Sequence, residues 1–135
     1  AEGTGPKRFQ RPVYVDFMPP CNSACPAGEN IQAWLSHAQE GNYFDAFQQI
    51  MDDNPFPAIM GRVCTRPCET GCNRNHIDTT VNIHAVERYI GDEAILHNWQ
   101  VNYSATQTNK RVLVVGAGPG GLSAAYHLVR MGHTV

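Results

Sequence analysis

The chain has 135 residues, 42% of them hydrophobic and 16% charged, with a net charge of −2. That length suits about one domain, and the mild charge argues against nucleic acid or an anionic membrane as partner. No apolar run approaches the ~20 residues of a membrane span. The opening "AEGTGPKRFQRPVY" lacks the apolar core of a signal peptide, which predicts a cytoplasmic protein.

Residues 1–20, with four prolines, read as an extended arm. Pro26 cannot continue a helix from before it, and Asn30 can cap the next one. Ile31, Trp34, Leu35 and Ala38 share a helical face, and Gly41 ends that helix. A second helix is expected from Tyr43 to Met51, with Phe44, Phe47 and Ile50 inward, before "DNPFP" breaks it. "GRVCTRPCETGC" reads as a compact, turn-rich segment. A third helix should start near Val81, capped by Thr79 or Thr80, with Ile83, Val86, Ile90 and Ala94 inward. Residues 98–109 are polar and aperiodic and read as a linker.

"KRVLVVGAGPGGLSAAYHLVRMGHTV" differs in kind: a buried strand, a glycine turn, a helix and the start of a second strand. Gly116, Gly118 and Gly121 form G-x-G-x-x-G in the strand–turn–helix setting that a dinucleotide fingerprint requires. Gly116 would allow the tight turn, Gly118 the approach of a pyrophosphate, and Gly121 close packing of helix on strand. The acidic residue that should follow about 20 positions later, and the further strands such a sheet needs, would lie beyond residue 135. Residues 110–135 are therefore expected to be the truncated start of a Rossmann-type domain, poorly packed or disordered.

The five cysteines are odd in number, and without an export signal metal or redox chemistry outweighs a disulfide framework. Cys21 and Cys25 stand four apart, and Cys64, Cys68 and Cys72 repeat that step. In helical backbone, side chains at this spacing share a face. Cysteine thiolates hold iron–sulfur clusters, and Cys followed by Pro, as in Cys25–Pro26, is familiar in ferredoxins. Cys64, Cys68, Cys72 and His76 would equally make a Cys3His zinc set. Spacing alone leaves both open. Arg62 and Arg66 flank Cys64 and could offset thiolate charge. His37, His84, His97, His127 and His133 show no partner spacing.

The segments "PPCNSACPAGENIQAWL", "DNPFPAIMGRVCTRPCETGCNRN", "VNIHAVERYIGDEA" and "KRVLVVGAGPGGLSAAYHL" stand in the same order as in the small (beta) subunit of bacterial glutamate synthase. Residues 15–135 resemble that family. The N-terminal region of dihydropyrimidine dehydrogenase is similar, as is the large subunit of the electron-bifurcating NADH-dependent ferredoxin:NADP oxidoreductase. The resemblance implies a mainly α fold: an alpha-helical ferredoxin-like domain over 21–97, a linker over 98–109, and an incomplete Rossmann-type βα unit over 110–135. It also implies an electron-transfer module of an oxidoreductase, with FAD and NAD(P)H bound by the intact parent and a partner subunit or domain accepting electrons.

By the same resemblance, Cys25, Cys64 and Cys68 would hold one [4Fe–4S] cluster, with its fourth ligand at Glu87, where the family carries glutamine or glutamate. Cys21 and Cys72 would belong to a second cluster. That cluster normally needs a C-x-x-C just before Cys21, and "PVYVDFMPPC" has none, so one cluster is expected. The alternatives are a zinc-stabilised docking domain and a docking domain that has lost its cluster. No complete catalytic site is expected in the chain itself.

Overall fold

The computed structural model describes residues 18–135; most of the expected arm, residues 1–17, lies outside the described residues. Seven α-helices follow: α1 (Pro20–Ala24), α2 (Ile31–Gln39), α3 (Tyr43–Ile50), α4 (Pro57–Val63), α5 (Pro67–Thr70), α6 (Ile83–Leu96) and α7 (Pro119–Arg130). A short 3-10 turn, Asn73–His76, joins α5 to the approach to α6. The fold is mainly α, as expected.

Local chemistry sets the helix starts. Asn30 caps α2, its side chain accepting from Ala33 N–H. α1, α4, α5 and α7 each open on proline, whose fixed φ and missing N–H suit the first helical position. Pro57 and Pro67 thus begin helices inside segments that read from sequence as a breaker and a turn. The cap of α6 also departs from expectation. Asn82 occupies the N-cap, not Thr79 or Thr80, and makes no side-chain cap bond. Glu69 of α5 substitutes: its Oε1 accepts from His84 N–H at 3.0 Å and lies 2.9 Å from His84 Nδ1.

The core lies between α2, α3 and α6, where Trp34, Ile31, Ile50 and Ile90 are fully buried and Phe47 joins them. Phe44 does not turn inward as expected. It is 36% exposed and meets the edge of Trp99 at 5.6 Å between ring centroids. Trp99 also packs on Phe47, and Gln48 bonds Gln100 O and Asn102 N–H, so the start of the expected linker is clipped to α3. α4 crosses α6 with glycine on both sides. A Cβ added at Gly61 would stand 2.5 Å from Arg88 Cβ, and one at Gly91 would collide with Ala58 backbone N. No helix among the described residues is long and apolar enough to cross a membrane.

The Rossmann-type unit expected from residue 110 is not formed among the described residues. Only one parallel bridge, Arg111 to Thr134, links the two would-be strands. A parallel strand needs hydrogen-bonded neighbours, and the apolar run finds none beyond Thr134, leaving Leu113 and Val115 85% and 89% exposed. The helix after the glycine turn does form. None of its side chains is fully buried, but Tyr126 packs against the core and the helix is anchored there. Tyr126 Oη donates to Met51 O at 2.8 Å, and Arg130 reaches the carbonyls of Met51 and Asp52 and the Asp52 carboxylate. These carbonyls end α3, where a cation complements the helix dipole.

Candidate metal centre

Cys25 is the C-cap of α1, released from helical geometry just before Pro26. Cys64 is the C-cap of α4 in the same extended conformation. Cys68 sits in the first turn of α5 and is buried. Between the last two, Arg66 takes a left-handed conformation (φ 62°, ψ 47°) that aims its backbone N–H at Cys64 Sγ, 3.4 Å away. Glu87 faces them from α6 and is 6% exposed.

Cys25, Cys64, Cys68 and Glu87 all line one cavity of about 360 Å³. Its walls are otherwise largely apolar, with Ile31, Phe56, Met60 and Ile83, and α7 closes one side with Pro119 and Ser123. Burial pushes the Cys68 thiol up to about 12; its own neighbour's N–H, on Glu69, opposes this, while Cys25, Glu69 and Cys64 add to it. Burial likewise raises Cys25, against the backbone N–H groups of Glu29, Ala27 and Gly28. Thiols held this way ionise when a cation stands beside them, and the N–H groups around the sulfurs then favour the thiolate. The donor set fits a thiolate-ligated group.

Cys21 and Cys72 stand apart from this cavity and close to each other. Gly71 packs against Ala24 and Pro20 where α5 meets α1, and charge on Cys72 acts on Cys21, whose thiol is raised first by burial. Cys72 is lowered, chiefly by the backbone N–H of Val81, with the backbone N–H of Arg74 acting in the same direction. His76 is exposed in the 3-10 turn. The candidate zinc set is thus divided between places. Among the described residues no three His, Cys, Asp or Glu side chains converge on one ion. Arg62 forms a bidentate pair with Asp92 at 2.9 Å.

Two residues beside the cavity carry no sequence signal of their place there. Glu29 and Asn54 are buried beside Glu87, and both border the cavity. Asn54 followed by Pro55 marks a turn, and its Oδ1 does accept from Phe56 N–H. Nothing local signals that its amide reaches residues 25 and 33 positions away.

The glycine turn has its own geometry. Gly116 has φ 110°, open space surrounds Gly118, and a Cβ at Gly121 would strike Gly116 O.

Three thiols reach one largely apolar cavity from separate helix ends, an arrangement that suits a thiolate-ligated group. Residues 13–99 match the family described as dihydropyrimidine dehydrogenase domain II, 4Fe-4S cluster, and the chain belongs to that family. It is 38% identical over 122 residues to the beta subunit of NADPH-Fe(3+) oxidoreductase of Geobacter sulfurreducens, covering 89% of this chain and 18% of that protein. It is 40% identical over 117 residues to the glutamate synthase [NADPH] small chain of Escherichia coli, covering 84% and 25%. The corresponding small chain of Mycobacterium tuberculosis is 38% identical over 119 residues, covering 87% and 24%. The chain therefore spans about a fifth to a quarter of the length of these relatives.

Proposed function

We propose that this chain is the iron–sulfur electron-transfer module of an FAD- and NAD(P)H-dependent oxidoreductase of the kind that includes the glutamate synthase small chains. Cys25, Cys64, Cys68 and Glu87 hold one [4Fe–4S] cluster. The observation that carries this reading is their convergence on a single cavity from α1, α4, α5 and α6.

When bound, such a cluster supplies a one-electron relay whose potential depends on its ligands, on hydrogen bonds to sulfur and on exposure. The chain's own groups set those conditions. The thiols bind, and the N–H groups of Arg66, Glu69 and the Cys25 loop orient them. Ile31, Phe56, Met60 and Ile83 exclude water, and Glu87 supplies a carboxylate in place of a fourth thiolate.

Gly116, Gly118 and Gly121 receive the FAD pyrophosphate in the parent, where α7 offers free N–H groups at its start. Pro119 and Ser123 of that helix wall the same cavity, which supports direct transfer between flavin and cluster. NAD(P)H binds elsewhere in the parent, and a partner subunit or domain takes the electrons. Cys21 and Cys72 complete no second cluster. Thiolate ligation suits a reducing compartment, and we place the protein in the cytoplasm.

The test is iron, zinc and acid-labile sulfide analysis of anaerobically purified or reconstituted protein. About four irons and four sulfides per chain are expected. Stoichiometric zinc without sulfide overturns the reading in favour of a zinc-stapled docking domain. Absence of all three after reconstitution overturns it in favour of a domain without a cluster.

A further inference from the structure

Behind the thiols lies a polar relay within an apolar core. Trp34, fully buried, donates from Nε1 to Glu29 Oε2 at 3.2 Å. Asn54 Nδ2 donates to Glu29 Oε1 at 3.0 Å and to Glu87 Oε1 at 2.7 Å. Asn54 Oδ1 accepts from Phe56 N–H at 2.9 Å, which fixes which end of the amide faces the carboxylates. The three polar residues Glu29, Asn54 and Glu87 are 6%, 4% and 6% exposed. No buried side-chain nitrogen or oxygen among the described residues lacks a partner.

Burying two carboxylic groups this close together is unfavourable unless something holds them. Asn54 uses both amide protons for the purpose, and its own orientation leaves no alternative pairing. The described hydrogen bonds of Glu87 use Oε1 alone, and the residue borders the cavity with Cys25, Cys64 and Cys68. One carboxylate oxygen is tied to the core while the group remains at the cavity wall. Groups that orient a metal ligand from behind in this way govern how well it binds.

We propose that Asn54 is the positioning residue for Glu87, anchored through Glu29 and Trp34, and holds the Glu87 carboxylate towards the thiols. The inference rests on Glu87 being the fourth ligand. Asn54 acts on the bound centre only through Glu87, so its effect must vanish when residue 87 binds without a carboxylate.

The test uses the 135-residue chain reconstituted anaerobically with ferrous iron and sulfide. The readouts are the rate of iron release to a ferrous chelator and the electron paramagnetic resonance spectrum after reduction. Asn54→Asp keeps the acceptor for Phe56 N–H and removes both donors; Asn54→Ala, which adds no charge, is the second variant. Each is made with Glu87 present and in a Glu87→Cys background. With Glu87 present, either substitution should speed release about tenfold or more and shift the spectrum. In the Glu87→Cys background the change should stay within about twofold, because the coupled partner is gone. An unchanged rate and spectrum in both variants, or an equal increase in the two backgrounds, overturns the positioning role while leaving Glu87 a ligand. Glu87→Ala with unchanged release and spectrum removes Glu87 from the ligand set, and the inference falls with it.

Discussion

Gly91 of α6 lies so close to Ala58 of α4 that no side chain fits between them. This contact matters for the centre because α4 ends on Cys64 and α6 carries Glu87, so the helix crossing fixes one thiol against the carboxylate. Gly91→Ala gains about 1 kcal/mol in helix propensity but forces backbone apart, and overpacking of this kind costs about 1–3 kcal/mol. The net effect should be a lower melting temperature of the metal-free protein and poorer reconstitution. Gly120→Ala, in the first turn of α7 with nothing within 4 Å, should be neutral or slightly stabilising. Equal melting temperatures for the two variants would show that the crossing is not tight.

Arg66 carries backbone strain. A left-handed conformation costs an L-residue roughly 1–2 kcal/mol, and at φ 62° Arg66 accepts that cost while aiming its N–H at Cys64. Its ion pair with Glu69 is long, at 3.8 Å, and half exposed, so it contributes little. Arg66→Gly should therefore melt at or above the temperature of the unsubstituted chain, with iron content unchanged. Arg66→Val, branched at Cβ, should lose about 1–2 kcal/mol and iron with it. Denaturant titrations of the metal-free proteins distinguish the two, and a Val variant as stable as the Gly variant contradicts the account.

The buried carboxylates make the metal-free protein sensitive to pH. Burial first, then the charge of Glu29, raises Glu87 from its ordinary 4.5 to about 8, against the donor from Asn54. Between those two values the folded chain binds more protons at Glu87 than the unfolded chain does. Its contribution to stability therefore falls as pH rises from about 4.5 to about 8 and is flat above. Glu87→Gln removes that slope. The metal-free variant should gain over the parent as pH rises, by on the order of a few kcal/mol at pH 8.5 relative to pH 4.5. Parallel stability–pH curves would contradict the burial.

The α4–α6 pair also shows which contacts carry little energy. Arg62 and Asp92 form a bidentate pair across the two helices, but both are about 40% exposed, at 43% and 42%. Asp92→Ala should cost under about 1 kcal/mol and leave iron content unchanged. A loss as large as that of Gly91→Ala would give this pair a structural weight that its exposure does not support.

Much of the frame is legible in residue order. Asn30 caps where a cap is expected, and Ile31 and Trp34 turn inward on the three- and four-residue rhythm. The rest is hidden for identifiable reasons. Pro57 and Pro67 read as interruptions because proline both ends and begins helices, and only the chain around it decides which. The cap of α6 comes from Glu69, 15 residues before His84, and no short motif reports it. Phe44 follows the apolar rhythm yet stays partly exposed, because the inward positions of α3 are taken by Ala46, Phe47 and Ile50. Glu29 and Asn54 look like solvated polar residues in "GEN" and "DNP" until the fold brings them to Glu87. The strand before Gly116 has the right composition, but its hydrogen-bonded neighbours are absent from the described residues, so composition alone does not make a sheet.

Iron content, cysteine by cysteine, bears most directly on the division of the five thiols into one working set and one idle pair. After anaerobic reconstitution, the parent chain and a Cys21→Ser/Cys72→Ser double variant should each hold about four irons and four sulfides, while Cys25→Ser, Cys64→Ser and Cys68→Ser should each lose most of both. Loss of iron from the double variant equal to that from Cys64→Ser, or full retention in Cys64→Ser, would contradict the account.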